Sequence, residues 1–261
     1  MDSAAVAGLL DLGDMQLEYR LWRPRAGAAP SLVLLHEGLG CVGLWGDFPA
    51  RLAAATGRTV FAYSRAGYGG SSPVALPRPL DTMQREAEET LPRVLDAIGF
   101  RRGALIGHSD GASIAAIHAG ARRDPRIRAI ALLAPHFIVE GMTIVAIARA
   151  RDAYAAGDLR AKLARWHADV DVAFHGWCDA WLDPKFRDWD IRRYLPAVAA
   201  PVQIIQGVAD PYGSVRQIAI AQEALAAPPD VALLPGVGHA PHRQASATTV
   251  EHISRFVAPL L

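Results

Sequence analysis

Apolar positions along the chain follow two rhythms. Residues 31–35, 59–63, 103–106, 127–133, 202–206 and 230–234 are short, nearly unbroken apolar runs. Runs of that length suit strands buried on both faces. Residues 15–22 (Met-Gln-Leu-Glu-Tyr-Arg-Leu-Trp) instead alternate apolar and polar, as a half-buried edge strand does. Between the runs lie helical patterns at 47–55, 81–98, 111–123, 214–227 and 245–257. Strands alternating with helices predict a mostly parallel sheet with helices on both faces.

Residues 135–196 break the rhythm. A stretch of about sixty residues is too long for a simple crossover. It is helical in pattern and holds Trp166, Trp177, Trp181 and Trp189 of the chain's 6 tryptophans. Phe174, Trp177, Cys178 and Trp181 stand at i, i+3, i+4, i+7, so they share one helix face. The stretch reads as a helical cap over the sheet's C-terminal edge, with residues 1–134 and 197–261 forming the core. Most of its aromatics are expected in packing and the rest on a pocket wall.

Composition narrows the function classes. The 261 residues are 51% hydrophobic and 20% charged, enough for one sizeable core with an insertion. A net charge of +1 leaves no basic footprint for nucleic acid. Cys41 and Cys178 sit far apart in sequence, with neither disulfide nor zinc spacing, which suits a reducing compartment. The chain starts with acidic Met1-Asp2-Ser3, and the apolar run after it stops at Asp11. That pattern predicts no signal peptide, no membrane span and a cytoplasmic protein. No cofactor or metal is expected; His167, Asp169 and Asp171 read as a helix start rather than as ligands. The expected partner is a small-molecule substrate, and a homodimer is compatible with the sequence.

The chemistry concentrates at Gly107-His108-Ser109-Asp110-Gly111. An apolar strand precedes this G-x-S-x-G stretch and an apolar helix follows it. A serine on such a turn is forced into a strained backbone and held out at the sheet's end. A serine hydroxyl needs a base in contact, and the base needs an orienting carboxylate. His239 in the small-residue loop Gly236-Val237-Gly238-His239 is the favoured base, with His242 its rival. Asp210, after the run ending at Gln206, is the favoured acid; Glu140 and Asp183 are the alternatives. An oxyanion needs backbone N–H donors, for which Asp110, Gly38 and Leu39 are the candidates.

Together these segments resemble the α/β-hydrolase superfamily across nearly the whole chain. His36-Glu37-Gly38-Leu39-Gly40 looks like its oxyanion segment, and residues 64–71 (Ser-Arg-Ala-Gly-Tyr-Gly-Gly-Ser) look like the turn after the next strand. The resemblance implies an eight-stranded sheet, a Ser109–His239–Asp210 triad and a lid inserted after the sixth strand. Two positions depart from the pattern. Glu37 replaces a glycine, where its carboxylate would oppose a developing oxyanion unless turned away and paired. Arg65 is the expected partner. Asp110 places a second carboxylate beside the serine, able to affect His239 or to bind a polar substrate group. Glu37, Arg65, His136, Trp177 and Trp181 are therefore candidate pocket residues. The expected activity is hydrolysis of a small, partly apolar ester, thioester or lactone. C–C hydrolysis of a diketo acid, which would need Arg65, Arg149 or His136 on a substrate carboxylate, and a non-catalytic binding module are the alternatives.

Overall fold

The computed structural model of the chain describes residues 5–23 and 27–261, so the acidic start at Met1 lies outside the described residues. Eight strands form one sheet: β1 (Val6–Asp11), β2 (Gln16–Trp22), β3 (Leu32–Leu35), β4 (Val60–Tyr63), β5 (Gly103–His108), β6 (Ile127–Leu133), β7 (Val202–Gly207) and β8 (Asp230–Leu234). Their spatial order is β1-β2-β4-β3-β5-β6-β7-β8. Strands β3 to β8 are parallel, while β2 runs antiparallel to both β1 and β4.

The apolar runs are buried on both faces, as their lack of alternation predicts. Val33 and Leu35 face one core with Leu105, Leu132 and Ile204. Leu32 and Leu34 face the other with Ala62, Ile106 and Ile205. Helix α1 (Phe48–Thr56) covers the second face through Phe48 and Leu52. On the first face lie α2 (Thr82–Arg85) and α3 (Leu91–Ala97), joined by a π-helical turn at Glu86–Thr90, and α4 (Asp110–Arg122). Each large apolar side chain so buried stabilises the fold by about 1.5–3 kcal/mol.

Between β6 and β7 the chain forms α5 (Gly141–Ala156), α6 (Leu159–Leu163) and α7 (Val170–Leu182), then two 3-10 turns. Asp169 caps α7 by accepting from the Val172 N–H at 2.9 Å. Phe174, Trp177, Cys178 and Trp181 all lie on its buried face. Phe174 stacks on Tyr154 of α5, with ring centroids 3.6 Å apart. Helix α8 (Arg216–Ala224) follows β7, and α9 (Pro241–Gln244) and α10 (Ser246–Val257) follow β8. Helix α10 covers the second face through Ile253 and Val257.

The chain passes from β3 to β4 on one side and then to β5 on the other. Loops after β3 and β5 therefore part in opposite directions and leave a crevice at the carboxyl ends of the strands. Open α/β sheets place their ligands at such switch points. Strand β1 is a difference from the sequence pattern, in which residues 4–10 read only as a short apolar run. It exists by pairing antiparallel with β2 from Val6↔Leu21 to Asp11↔Gln16.

Candidate active site

Ser109 ends β5 at φ 53° and ψ −118°, a strained conformation for a residue with a Cβ. Such strain costs roughly 1–3 kcal/mol and must be held by its surroundings. The flanking glycines show how. A Cβ on Gly107 would lie 2.2 Å from the Gly111 carbonyl, and one on Gly111 would lie 2.0 Å from that of Leu35. Both obstacles are backbone, so strand, turn and helix interlock only with hydrogen at these positions. The Ser109 N–H is tied to the Leu133 carbonyl at 2.9 Å.

Two distant loops meet the hydroxyl. His239, after β8, has Nε2 2.9 Å from Ser109 Oγ. Its Nδ1 faces Asp210, after β7, at 2.8 Å from Oδ2 and 3.0 Å from Oδ1. Asp210 also accepts from the Tyr212 N–H at 2.8 Å and the Gln206 amide at 2.8 Å. Burial pushes the Asp210 carboxyl up, but the His239 hydrogen bond and the other donors outweigh it and hold the carboxyl below its ordinary value. Burial likewise pushes the His239 imidazole below its ordinary value, against the pull of Asp210. The resting arrangement is thus an ionised Asp210 and a neutral His239 with a free Nε2 lone pair aimed at the serine. His242, the rival base, is buried against Trp45 and His108, while the hydrogen bond to Ser109 Oγ is made by His239. Glu140 accepts from the Ser214 N–H and hydroxyl and from Gln217, so it braces the loop that carries Asp210. Asp183 caps a 3-10 turn through the Lys185 N–H.

The Glu37 carboxylate does not pair with Arg65 as expected. The Arg65 guanidinium is taken by backbone carbonyls, donating to His36 O at 2.6 Å and Glu37 O at 3.1 Å. Glu37 Oε2 instead faces His108 Nδ1 at 3.2 Å, and His108 Nε2 lies 2.7 Å from the His239 carbonyl. A carbonyl only accepts, so Nε2 donates to it, and the ring bridges that carbonyl and the Glu37 carboxylate. Burial pushes the Glu37 carboxyl up, but His108, with His242 and His36, outweighs it and holds the group well below the usual carboxylate range. His108 is not among the residues that the sequence pattern marks for the site. Its signal was a titratable residue closing a fully buried strand, which must find partners.

A cavity of about 180 Å³ opens over Ser109, lined by Glu37, Gly38, Leu39, Asp110, His136, Trp177, Trp181 and His239, among others. Among the described residues, the backbone N–H groups of Gly38, Leu39 and Asp110 have no acceptor. A Cβ on Gly38 would lie 2.1 Å from Trp177 Nε1, so the indole of α7 lies directly on that turn. Burial, then neighbouring His239, pushes His136 down to about 3, and its buried Nδ1 has no partner. Arg65 lines an adjoining cavity rather than this one, and Arg149 is exposed on α5. The cavity residues Thr143, Ile147 and Tyr212 carried no sequence signal; the Tyr212 ring lies 4.6 Å from that of His239.

His167, Asp169 and Asp171 do not converge. His167 accepts from the Gly69 N–H at 3.0 Å and donates to Leu39 O at 3.1 Å, whereas Asp171 pairs with Arg160 and Tyr154. Among the described residues no cluster of three His, Cys, Asp or Glu is arranged to hold a metal, and no helix is long and apolar enough to cross a membrane.

A family model described as the alpha/beta hydrolase family matches residues 32–252. The chain belongs to that family. No curated protein matches. Solved structures share the fold at low identity. The enol-lactonase from Burkholderia xenovorans is 19% identical with a TM-score of 0.74, the match covering 96% of this chain and 99% of that one. The proline iminopeptidase of Mycobacterium smegmatis is 20% identical with a TM-score of 0.72, covering 97% of each chain. An E-2-(acetamidomethylene)succinate hydrolase is 17% identical with a TM-score of 0.75, covering 97% of this chain and 99% of that one.

Proposed function

We propose that this alpha/beta hydrolase cleaves a small, partly apolar ester, thioester or lactone through an acyl-enzyme on Ser109. The observation that carries the reading is the unbroken row from Ser109 Oγ through His239 to Asp210, with contacts of 2.9 and 2.8 Å. Ser109 Oγ attacks the carbonyl carbon as His239 Nε2 takes its proton. Asp210 holds the ring and stabilises the imidazolium that forms. The N–H groups of Asp110 and of Gly38 or Leu39 receive the oxyanion. Nε2 then returns the proton to the departing alcohol or thiol, and water repeats the sequence to free the acid.

The cavity admits only a small substrate, and Leu39, Ile147, Trp177 and Trp181 make its wall partly apolar. Residues 135–196 act in this reading as the cap that closes it. The C–C alternative needs a cation on a substrate carboxylate; among the described residues no Lys or Arg lines the Ser109 cavity. The free, buried Cys41 and Cys178 support a cytoplasmic setting.

Turnover of p-nitrophenyl butanoate and of a small lactone tests the proposal. Ser109→Ala is expected to lose about 10³-fold or more in kcat while melting no lower than the parent. A fluorophosphonate probe is expected to label the parent and not the variant. Turnover retained by Ser109→Ala overturns the reading, and decay of a ring-fission dienoate without ester turnover replaces it with C–C hydrolysis.

A further inference from the structure

One side chain outside the Ser109–His239–Asp210 row joins three of the loops that meet at the serine. His108 closes β5 directly before Ser109, and its imidazole is only 3% exposed. Its Nε2 lies 2.7 Å from the His239 carbonyl, and its Nδ1 lies 3.2 Å from Glu37 Oε2. Glu37 immediately precedes Gly38 and Leu39, the candidate oxyanion donors. On the base loop, the amides on either side of His239, those of Gly238 and Ala240, donate to Gln244 Oε1 at 2.9 and 3.4 Å. The His239 carbonyl itself accepts from His108 alone among the described residues. Packing fixes the ring that holds it: its centroid lies 5.1 Å from that of His239 and 4.7 Å from that of His242.

We propose that His108 is a positioning residue: on one ring it holds the peptide of the base and the turn of the oxyanion donors, and so sets both against Ser109. The inference rests on the serine-hydrolase reading above. His108 and Ser109 are neighbours on a backbone that Gly107 and Gly111 lock in place, so ring and hydroxyl are fixed relative to each other. A hydrogen bond from that ring therefore sets how far the base loop lies from the nucleophile. Without it, His239 keeps Asp210 but loses the tie on its own peptide, in a loop of small residues. A misplacement of about 1 Å near reacting groups costs up to about 10²-fold in rate. His108 makes no hydrogen bond to the Ser109 hydroxyl, which is met by His239. It works through a carbonyl and a carboxylate, and the carbonyl contact needs a donor at the ring's far nitrogen.

Two amide substitutions separate the contacts. His108→Gln places an amide nitrogen near the position of Nε2 and keeps a donor for the His239 carbonyl. His108→Asn reaches only the position of Nδ1 and leaves that carbonyl without a partner. The measurements are the rate at which a fluorophosphonate labels Ser109, kcat and KM for p-nitrophenyl butanoate, and the melting temperature. His108→Asn is expected to lose about 10- to 10²-fold in labelling rate and in kcat, with KM changed less than kcat. His108→Gln is expected to recover most of that loss, with the two variants melting close together. Equal labelling rates in the parent and His108→Asn overturn the proposal and leave the serine mechanism standing, as does an equal loss in both variants. If His108→Asn does not fold, a loss of about tenfold or more in His108→Gln overturns it. Absence of any Ser109-dependent labelling or turnover in the parent removes both readings.

Discussion

The charged groups on the two sides of Ser109 differ in how fully they are matched. On the side of His239 every charge has its partners: Asp210 takes the imidazole, a backbone N–H and an amide, and Glu37 takes His108, which holds the His239 carbonyl. On the side of Trp181, Asp110 Oδ1, His136 Nδ1 and Arg78 Nε are buried with none. A buried polar atom left unmatched costs about 1–3 kcal/mol. On the more saturated His239 side the charges hold one another, although Gln206 Oε1 and His242 Nδ1 beside them are also buried without partners; on the Trp181 side a carboxylate oxygen and a guanidinium nitrogen go unmatched. The difference teaches where substitution removes a partner and where it does not.

Breaking the saturated side is expected to do the most harm. Asp210→Asn keeps the shape but presents an amide to His239 Nδ1, which favours the wrong tautomer. Its kcat is expected to fall by about 10³–10⁴-fold with a nearly unchanged melting temperature, read by steady-state kinetics and calorimetry. A loss below tenfold would move the orienting role away from Asp210.

Glu37→Gln removes the carboxylate that His108 Nδ1 faces. Breaking a buried pair is expected to destabilise by about 2–4 kcal/mol, measured by urea unfolding near neutral pH. The sign of the pH effect follows from the lowered Glu37 carboxyl. Its stabilisation is full above the ordinary glutamate range and is lost as pH falls below it toward the depressed value. The parent should therefore weaken on acidification more steeply than Glu37→Gln; parallel curves would mean that the pair carries no charge.

The pH–rate profile sharpens the same contrast. Hydrolysis needs neutral His239, whose imidazole is held below its ordinary value. The expected kcat/KM rises with pH along a single limb below about pH 6.5 and is flat at neutrality. A midpoint above 7 would place a different group in the base's role.

The smallest expected effect is on the ligand side, at the contact between Gly38 and the Trp177 indole. Gly38→Ala is expected to cost about 1–3 kcal/mol through overpacking, and Trp177→Phe in the same chain to recover part of it. Additive losses in melting temperature and kcat/KM would deny the contact.

Much of this arrangement was legible in the sequence because burial writes strong patterns. Unbroken apolar runs marked the central strands, and glycines on either side of Ser109 marked a turn with no room for a Cβ. The small-residue loop around His239 and the Asp-Pro after β7 pointed to the groups that now lie together. Contacts set by side-chain direction were not legible. Arg65 and Glu37 follow adjacent strands, yet two backbone carbonyls take the guanidinium first, and His108 is the group that reaches the carboxylate. Strand β1 was hidden because an edge strand's stability comes from its neighbour rather than from its own residues. The wide turn at Glu86–Thr90 is indistinguishable from ordinary helix in the pattern of residues 81–98, since an i→i+5 step leaves no periodic trace.

His167 joins the inserted helices to the sheet's loops through main-chain atoms alone, one amide of Gly69 and one carbonyl of Leu39. Any residue at position 39 supplies that carbonyl, so the side chain there can change without loosening this tie. Position 69 has no such freedom: at φ 57° a Cβ would lie 2.2 Å from Glu18 Oε2. The tie is therefore tolerant at one end and fixed at the other.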